Sequence, residues 1–220
     1  MSAHPLEAGL RDGLAALDLA LTDAQVQTLL AYLDWVAKWN KVYNLTALRN
    51  PQDMLTHHLL DSLALVAPLR RHLAQAGLAA GARLLDVGSG AGLPGAVVAI
   101  ACPEVDVSCV DTVAKKALFI QQVAAALRLP NLHGLHARVE HLTQTFDVVT
   151  SRAFASLADF TAWSRGSLAD GGVWLAMKGK MPHDEVAALP PAVQVFHVEP
   201  LAVPGLAAER CLLWLRPGEH

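Results

Sequence analysis

A short apolar strand that ends in a glycine-rich loop is the most constraining feature of this chain. Residues 82–95 read Ala-Arg-Leu-Leu-Asp-Val-Gly-Ser-Gly-Ala-Gly-Leu-Pro-Gly. Gly88, Gly90 and Gly92 lack Cβ atoms, so the chain can turn sharply there and a ligand can lie against bare backbone. Pro94 fits the first turn of a following helix, whose N-terminal amides point back at the loop. The segment predicts a pocket for a nucleotide-type cofactor.

Two cofactor classes fit this loop, and two carboxylates bear on the choice between them. Residues 90–95 match the G-x-G-x-x-G pattern of dinucleotide-binding proteins. Asp86, however, lies two residues before the first loop glycine, where it would repel a pyrophosphate and suit the cationic amine of S-adenosylmethionine. Asp111 ends the next predicted strand, where an acid can accept both ribose hydroxyls of either cofactor. Asp86 therefore favours S-adenosylmethionine.

The first eighty residues have the apolar spacing of helices. Residues 22–25 (Thr-Asp-Ala-Gln) have the form of a capping box, and the apolar repeat that follows predicts a helix over 23–39. Asn50-Pro51 begins a second predicted helix, which continues until Pro68. We therefore expect residues 1–80 to form a helical segment packed on the main domain.

Residues 81–220 alternate strands and helices, which is typical of an α/β domain with a parallel sheet. Thr112 and Ser156 are predicted to cap two of the helices, the second of which continues to about Ala169. The predicted strands include Leu84 and Leu85 and then lie at 105–110, 132–136, 146–150, 173–177, 193–198 and 211–216. We expect the ends of these strands to converge on one crevice that carries Gly88, Asp111, residues 137–140, Arg152 and Lys178.

Composition and cysteine usage exclude several classes of protein. The 220 residues are 53% hydrophobic, but no apolar run of 18 residues occurs, so we expect no membrane span. The first ten residues lack the features of a signal peptide. Cys102, Cys109 and Cys211 form no C-x-x-C pair, which indicates buried structural thiols and a cytoplasmic protein.

A net charge of −3 provides no overall field that would attract RNA, so any contact with nucleic acid requires local patches. The candidate pairs are Lys38 with Lys41, Arg70 with Arg71, Lys115 with Lys116, and Lys178 with Lys180. Each pair by itself is more simply interpreted as solvated surface. Trp35 and Trp39 could stack on bases, but we expect them to pack against the main domain.

The residues after the fourth predicted strand bear on which kind of atom accepts the methyl group. Enzymes that methylate an adenine amine have Asn or Asp followed by Pro-Pro and an aromatic residue at this place, whereas this chain has Ser151-Arg-Ala-Phe154. Methylation of a pyrimidine carbon requires a cysteine nucleophile, and none of the three cysteines is placed for that role. Guanine N7 has a free lone pair and needs no base, so alignment alone can suffice and no catalytic side chain is expected. Arg152 could bind a cofactor carboxylate, a phosphate or a guanine edge, or form a structural ion pair.

A metal site is not expected. His57 and Asp61 share a helix face, but His58 points about 100 degrees away and no further ligand has suitable spacing. His133, His136 and His141 are scattered along a strand and a loop and receive no role.

Over residues 35–180 the assembled motifs resemble one family, the RsmG or glucose-inhibited division protein B methyltransferases of the bacterial small ribosomal subunit. The matching segments are Trp39-Asn-Lys-Val-Tyr-Asn-Leu-Thr46, His58-Leu-Leu-Asp-Ser-Leu63, residues 85–95, Lys115-Lys-Ala-Leu-Phe119, Ala137-Arg-Val-Glu140 and Ser151-Arg-Ala-Phe-Ala-Ser156. The resemblance implies a Rossmann-like class I methyltransferase, with a mostly parallel seven-stranded sheet and an antiparallel last strand.

The resemblance also implies the reaction and part of the site. It implies transfer of a methyl group from S-adenosyl-L-methionine to N7 of guanine 527 in 16S rRNA of the small ribosomal subunit. We expect the protein to be a monomer. The cofactor-binding residues are then Asp86, Gly88, Gly90, Leu93, Asp111, Val139, Glu140 and Arg152, of which Leu93, Val139 and Glu140 rest on the resemblance alone. A small-molecule methyltransferase and a non-catalytic or dinucleotide-binding protein of similar fold remain the alternatives.

Overall fold

The computed structural model describes residues 4–218, and its centre is a seven-stranded sheet with strand order β3-β2-β1-β4-β5-β7-β6. The strands are β1 (Arg83–Val87), β2 (Asp106–Asp111), β3 (Leu132–His136), β4 (Phe146–Arg152), β5 (Leu168–Lys178), β6 (Val193–Pro200) and β7 (Cys211–Pro217). Strands β1 to β5 pair in parallel, whereas β7 is antiparallel to both of its neighbours. The predicted Rossmann-like fold with an antiparallel last strand is confirmed.

Helices cover both faces of this sheet. They are α1 (Glu7–Ala16), α2 (Asp23–Tyr43), α3 (Pro51–Met54), a π-helical turn (Leu55–Leu60), α4 (Asp61–Leu63), α5 (Val66–Gln75), α6 (Gly95–Ala101), α7 (Ala114–Ala126), α8 (Leu157–Ser164) and α9 (His183–Ala187). Two short 3-10 turns lie at Val139–His141 and Arg165–Ser167. None of the helices within residues 4–218 is both long and apolar enough to cross a bilayer.

The predicted helix boundaries differ from the structure in four places. Helix α2, predicted to end at residue 39, continues to Tyr43. The helix predicted to end at Pro68 ends at Leu63, and Pro68 instead lies in the first turn of α5, where a backbone N–H is not needed. Ser156 caps α8 as predicted, but that helix ends at Ser164 because β5 begins four residues later. Thr112 does not cap α7, since the carboxylate of Asp111 accepts the N–H of Val113.

The capping box at the start of α2 also joins the N-terminal helices to the sheet. The side chain of Thr22 accepts the N–H of Gln25, and the side chain of Gln25 accepts the N–H of Thr22. The same Gln25 amide donates to the carbonyls of Ile100 and Ala101, each at 3.0 Å. These carbonyls lie at the C-terminus of α6 and have no partner within the helix, so Gln25 of α2 caps the end of α6.

Residues on both sides of residue 80 share one hydrophobic core. Leu10, Leu29 and Leu63 of the N-terminal helices are buried in the same cluster as Val97 of α6 and Val107 of β2. On the other face of the sheet, a second cluster packs α8 against β4 and β5. Burial on both faces explains why every residue of the central strand β1 except Arg83 is buried.

One hydrogen bond from this helical layer reaches the glycine loop directly. Tyr32 of α2 is fully buried, and its hydroxyl donates to the carbonyl of Ala91 at 2.7 Å. A buried carbonyl without a donor is costly, so this hydrogen bond stabilises the observed conformation of the loop.

We predict that Tyr32→Phe lowers the free energy of unfolding by about 1–2 kcal/mol, because it leaves the Ala91 carbonyl without this donor. Tyr43→Phe is the matched control, since that ring is 43% exposed and its substitution should change stability by less than about 0.5 kcal/mol. Urea unfolding of the two variants measures the difference, and equal stabilities would contradict the role given to Tyr32.

Candidate cofactor and substrate site

The glycine loop has the backbone conformation that its sequence predicts. Gly88, Gly90 and Gly92 have φ values of 67°, 58° and 87°, a region that side chains disfavour. A Cβ atom on Gly88 would also overlap the ring of Phe154, and one on Gly92 would overlap Ile120. Gly88 and Gly92 are therefore required for space as well as for backbone conformation, whereas Gly90 has open space around it.

Two carboxylates hold the backbone of this loop. Asp86 of β1 accepts the N–H of Gly95 at 2.8 Å, where α6 begins. Asp111 of β2 accepts the N–H of Gly90 at 3.1 Å through one oxygen and that of Val113 at 2.9 Å through the other. Strand β2 thus holds the loop at Gly90, and strand β1 holds it at Gly95, where the loop ends.

Asp86 itself lies beneath the loop and not on its open side. Its side chain is fully buried, lines neither of the cavities described below, and leaves Oδ1 without a partner. Burial raises its pKa to about 7, although the hydrogen bond from Gly95 and the charge of Arg152 act in the opposite direction. The direct contact with a ligand amine predicted from the sequence is therefore not available in this structure, because the loop covers the carboxylate.

Two cavities open on either side of the loop and share Gly88 and Ala153 as a common border. The larger, with a volume of about 720 Å³, is lined by Val87, Gly88, Val110–Val113, Lys116, Ala137–Glu140, Ala153, Phe154 and Trp163. The smaller, of about 460 Å³, is lined by Leu45, Thr46, His57, His58, Asp61, Gly88–Ala91, Leu93, Arg152, Ala153, Met177–Gly179 and Arg210. The strand ends that were predicted to converge do so here.

The larger cavity fits a nucleoside. Its walls are apolar at Val110, Val139 and Phe154, and the carboxylate of Asp111 is the buried acid that faces it. Each carboxylate oxygen has two lone pairs, so Asp111 retains acceptor capacity beyond the two backbone N–H groups that it already binds. Glu140 lies at the rim 3.2 Å from Arg138. A backbone hydrogen bond, with a smaller effect of Arg138, lowers the pKa of Glu140.

The smaller cavity is built around a buried acid between two arginines. Asp61 accepts Nη1 of Arg152 at 2.7 Å and Nε of Arg210 at 2.9 Å, and its side chain is only 4% exposed. Arg152 also donates to the carbonyl of His57 at 2.7 Å, within the π-helical turn. Arg152 is the last residue of β4, and its contacts with Asp61 and His57 of the N-terminal helices hold its guanidinium at the smaller cavity.

The charge around this cavity is predominantly positive. Lys178, Arg152 and Arg210 border it, with Asp61 as the acid among the lining residues, and Lys178 pairs with Glu185 at 2.8 Å behind the wall. His58 adds no charge at neutral pH, because burial, assisted by the charge of Arg152, lowers its pKa to about 4. The cavity therefore suits an electron-rich or anionic group.

The structure brings most of the predicted site residues together. Gly88, Asp111, Val139 and Glu140 border the larger cavity, whereas Gly90, Leu93 and Arg152 join Gly88 at the smaller one. Arg152 also forms the ion pair that was its alternative interpretation. The sequence did not predict Arg210, Thr46 or Trp163 as lining residues. Arg210 lies in a segment without a motif, and only its contact with Asp61, 149 residues away, reveals its position.

The three cysteines are buried and free, as predicted. Burial raises the pKa of Cys102 to about 11 and that of Cys109 well above its ordinary value. Their thiols stay protonated, so they are poor nucleophiles. Among residues 4–218, no group of three or more His, Cys, Asp or Glu side chains could hold a metal ion.

Comparison with known proteins identifies one family. The sequence profile described as "rRNA small subunit methyltransferase G" (GidB) matches residues 25–213. A protein of Acidovorax ebreus (strain TPSY) named ribosomal RNA small subunit methyltransferase G is 70% identical over 99% of this chain and 98% of its own length. The protein of the same name from Polaromonas sp. (strain JS666) is 69% identical over 96% of this chain and 93% of its own length.

Solved structures share the fold at low sequence identity. TrmN from Thermus thermophilus has a TM-score of 0.55 and 21% identity, covering 74% of this chain and 53% of its own. The magnesium protoporphyrin IX methyltransferase of Synechocystis PCC 6803, solved with bound SAM, has a TM-score of 0.53 and 14% identity, covering 90% and 99%. These similarities support the Rossmann-like methyltransferase fold.

We predict that Asp86→Asn changes the pH dependence of stability. In the unfolded chain this carboxyl titrates near its ordinary value of 3.8, and in the folded protein near 7. The folded protein therefore binds more protons between these values, and the carboxyl destabilises it progressively as the pH rises toward 7. The stability of the Asn variant relative to the parent should rise from pH 4.5 to pH 8 in urea unfolding. His58 is present in both proteins and cancels; an equal difference at both pH values would contradict the prediction.

Proposed function

The chain belongs to the rRNA small subunit methyltransferase G family, and from this premise we propose that it transfers the methyl group of S-adenosyl-L-methionine to N7 of guanine 527 in 16S rRNA. The observation that carries the proposal is the pair of cavities that meet at the glycine loop. One is nucleoside-sized and bordered by an acid, and the other is basic. The target atom and position are those that the family resemblance implies.

The residues of the larger cavity fit the nucleoside part of S-adenosylmethionine. Asp111 offers acceptor lone pairs to the ribose, while Val139 and Glu140 border the space for the adenine. Gly88 and Ala153 border both cavities, so a cofactor in the larger cavity lies next to a group bound in the smaller one. S-adenosylmethionine, when bound, supplies an electrophilic methyl group on a sulfonium. The part of Asp86 in this arrangement is to hold the loop by its exit at Gly95.

Guanine N7 as acceptor requires little proton chemistry from the protein. Its lone pair is available at neutral pH, so the chain contributes orientation and a suitable charge distribution. Arg152 can donate to O6 of guanine or to a phosphate, which leaves the N7 lone pair free, and Asp61 with the His57 carbonyl holds the guanidinium in one orientation. We assign Arg152 as a positioning residue, because a guanidinium fixed in advance loses little conformational freedom on binding.

The decisive test is methyl transfer followed by mapping. Small ribosomal subunits from cells that lack this protein should accept one labelled methyl group, and nuclease mapping with mass spectrometry should find 7-methylguanosine at position 527. Transfer to another nucleotide would contradict the assigned position, and failure to label any rRNA together with transfer to a small molecule would favour the small-molecule alternative. Calorimetry with NAD and S-adenosylmethionine in parallel excludes or supports the dinucleotide alternative.

Arg152 and Arg210 provide a matched pair for the role of Arg152. Replacement of either by Ala removes one of the two cations on Asp61 and should cost about 2 kcal/mol of stability. Both arginines line the smaller cavity, but Arg152 precedes Ala153, which borders both cavities, whereas neither chain neighbour of Arg210 lines a cavity. We therefore expect kcat/KM to fall at least about tenfold further in Arg152→Ala. Equal losses of activity would mark both arginines as structural.

A further inference from the structure

The large apolar side chains that remain exposed within residues 4–218 gather mainly in one region. Val42 and Tyr43, at the end of α2, are 69% and 43% exposed, and Val113 and Leu118, just before and within α7, are 45% and 47% exposed. Contiguous exposed apolar groups on a folded protein often mark an interaction site. This region is not part of either cavity except through Val113.

Helices α2 and α7 pack against each other, which brings these side chains to the same region of the surface. Trp39 of α2 packs edge-on against Phe119 of α7 with ring centroids 5.3 Å apart, and Tyr43 lies one turn further along α2, 4.9 Å from Trp39. We define the α2–α7 face as the residues that flank this contact on its solvent side: Trp35, Lys38, Val42, Tyr43, Lys115 and Leu118.

Each helix contributes a lysine over an aromatic ring to this face. Nζ of Lys38 lies 5.4 Å from the ring centre of Trp35, and Nζ of Lys115 lies 5.4 Å from that of Tyr43. Lysine pairs that are unremarkable in sequence are thus brought together with aromatic rings in space. Alternating cations and rings are the groups that bind the phosphates and bases of single-stranded nucleic acid.

The local charge also favours a polyanion, although the whole chain has a net charge of −3. Residues 35–52 and 112–139, which supply the face and its surroundings, contain no Asp or Glu. The acids that border these two segments are Asp34, which contacts His4, Asp53, Asp111, whose Oδ2 lies 3.4 Å from Nζ of Lys116, and Glu140, which pairs with Arg138. Acidic residues are therefore concentrated elsewhere, and the face has a positive local field.

The face continues into both cavities. Val113 and Lys116, at the start of α7, line the larger cavity, and Leu45 and Thr46, just past Tyr43, line the smaller one. An RNA strand whose target base enters the smaller cavity can therefore extend over the α2–α7 face.

We propose that the α2–α7 face binds the RNA strand next to the target guanine, with a base stacked on Tyr43 and phosphates bound by Lys38 and Lys115. This inference rests on the proposed function and adds the surface by which the substrate is recognised. RNA is favoured over a protein partner because lysine is depleted in the cores of protein interfaces, while cation and aromatic pairs are characteristic of single-strand binding.

The chain contains a matched control for this face. Phe196 of β6 is 40% exposed, and the guanidinium of Arg216 lies 5.4 Å from its ring centre. This pair resembles Tyr43 and Lys115 in exposure and distance but lies at the opposite edge of the sheet. The test compares the double variants Tyr43→Ala/Lys115→Ala and Phe196→Ala/Arg216→Ala, together with Tyr43→Phe and Lys115→Arg.

Equilibrium binding to small ribosomal subunits and to naked 16S rRNA is measured across a range of salt concentrations. Tyr43→Ala/Lys115→Ala should weaken binding to the substrate that the enzyme methylates by about tenfold or more, while the β6 control and the conservative variants remain within about threefold of the parent. Loss of the Lys115 contact should also reduce the slope of log K against log salt by about 0.7, as expected for one phosphate contact on single-stranded RNA.

Two outcomes would overturn the proposal. Equal affinities of the α2–α7 and β6 variants would show that the face does not bind the substrate, and weaker binding with an unchanged salt slope would indicate a protein contact. S-adenosylmethionine affinity and thermal melting, measured for every variant, should stay at parental values and thereby exclude misfolding. The parent protein is assayed for methyl transfer in the same experiment, so failure of the proposed function is visible independently of the variants.

Discussion

The site depends on two carboxylates that hold a glycine loop by its backbone. Asp86 and Asp111 end neighbouring strands, and between them they accept the N–H groups of Gly95 and Gly90. Positive φ values at alternate residues keep the loop out of regular secondary structure, and Gly95 is the first residue of α6, so neither N–H has an acceptor within a helix or strand. The two acids have different roles because of their surroundings. Asp86 is buried beneath the loop, whereas Asp111 borders the larger cavity and keeps lone pairs that can accept hydrogen bonds from a ligand.

The N-terminal helices complete the crevice that the sheet begins. Tyr32 supports the loop from below, and Asp61 receives Arg152 from the end of β4 and Arg210 from the segment before β7. A buried acid between two arginines is a weak source of stability, because desolvation offsets much of the attraction, but it fixes the orientation of both cations. The smaller cavity is therefore formed by the N-terminal helices and the sheet together. Its positive charge comes from Arg152 and Arg210, which are distant in sequence.

Local patterns predicted the parts of the fold and site that depend on local structure. The glycine loop, the capping box at Thr22 and the positions of the strands along the chain follow from glycine placement and apolar spacing. Asp86 was predicted to contact the ligand amine because of its charge, but in this structure its side chain is buried and binds the N–H of Gly95. The alternation of β1 puts Asp86 on the same side as Leu84, toward α6, and Leu85 on the other. Arg210 could not be predicted, since its position depends on a tertiary contact with Asp61.

The most direct measurement is a crystal structure of this protein with S-adenosylhomocysteine. We expect the adenosine in the larger cavity, with its ribose hydroxyls on the carboxylate of Asp111 and its sulfur directed past Gly88 toward the smaller cavity, while Asp86 still binds the N–H of Gly95. A nucleoside bound away from Asp111, or a sulfur that faces away from Arg152, would contradict the assignment of the two cavities and the mechanism that follows from it.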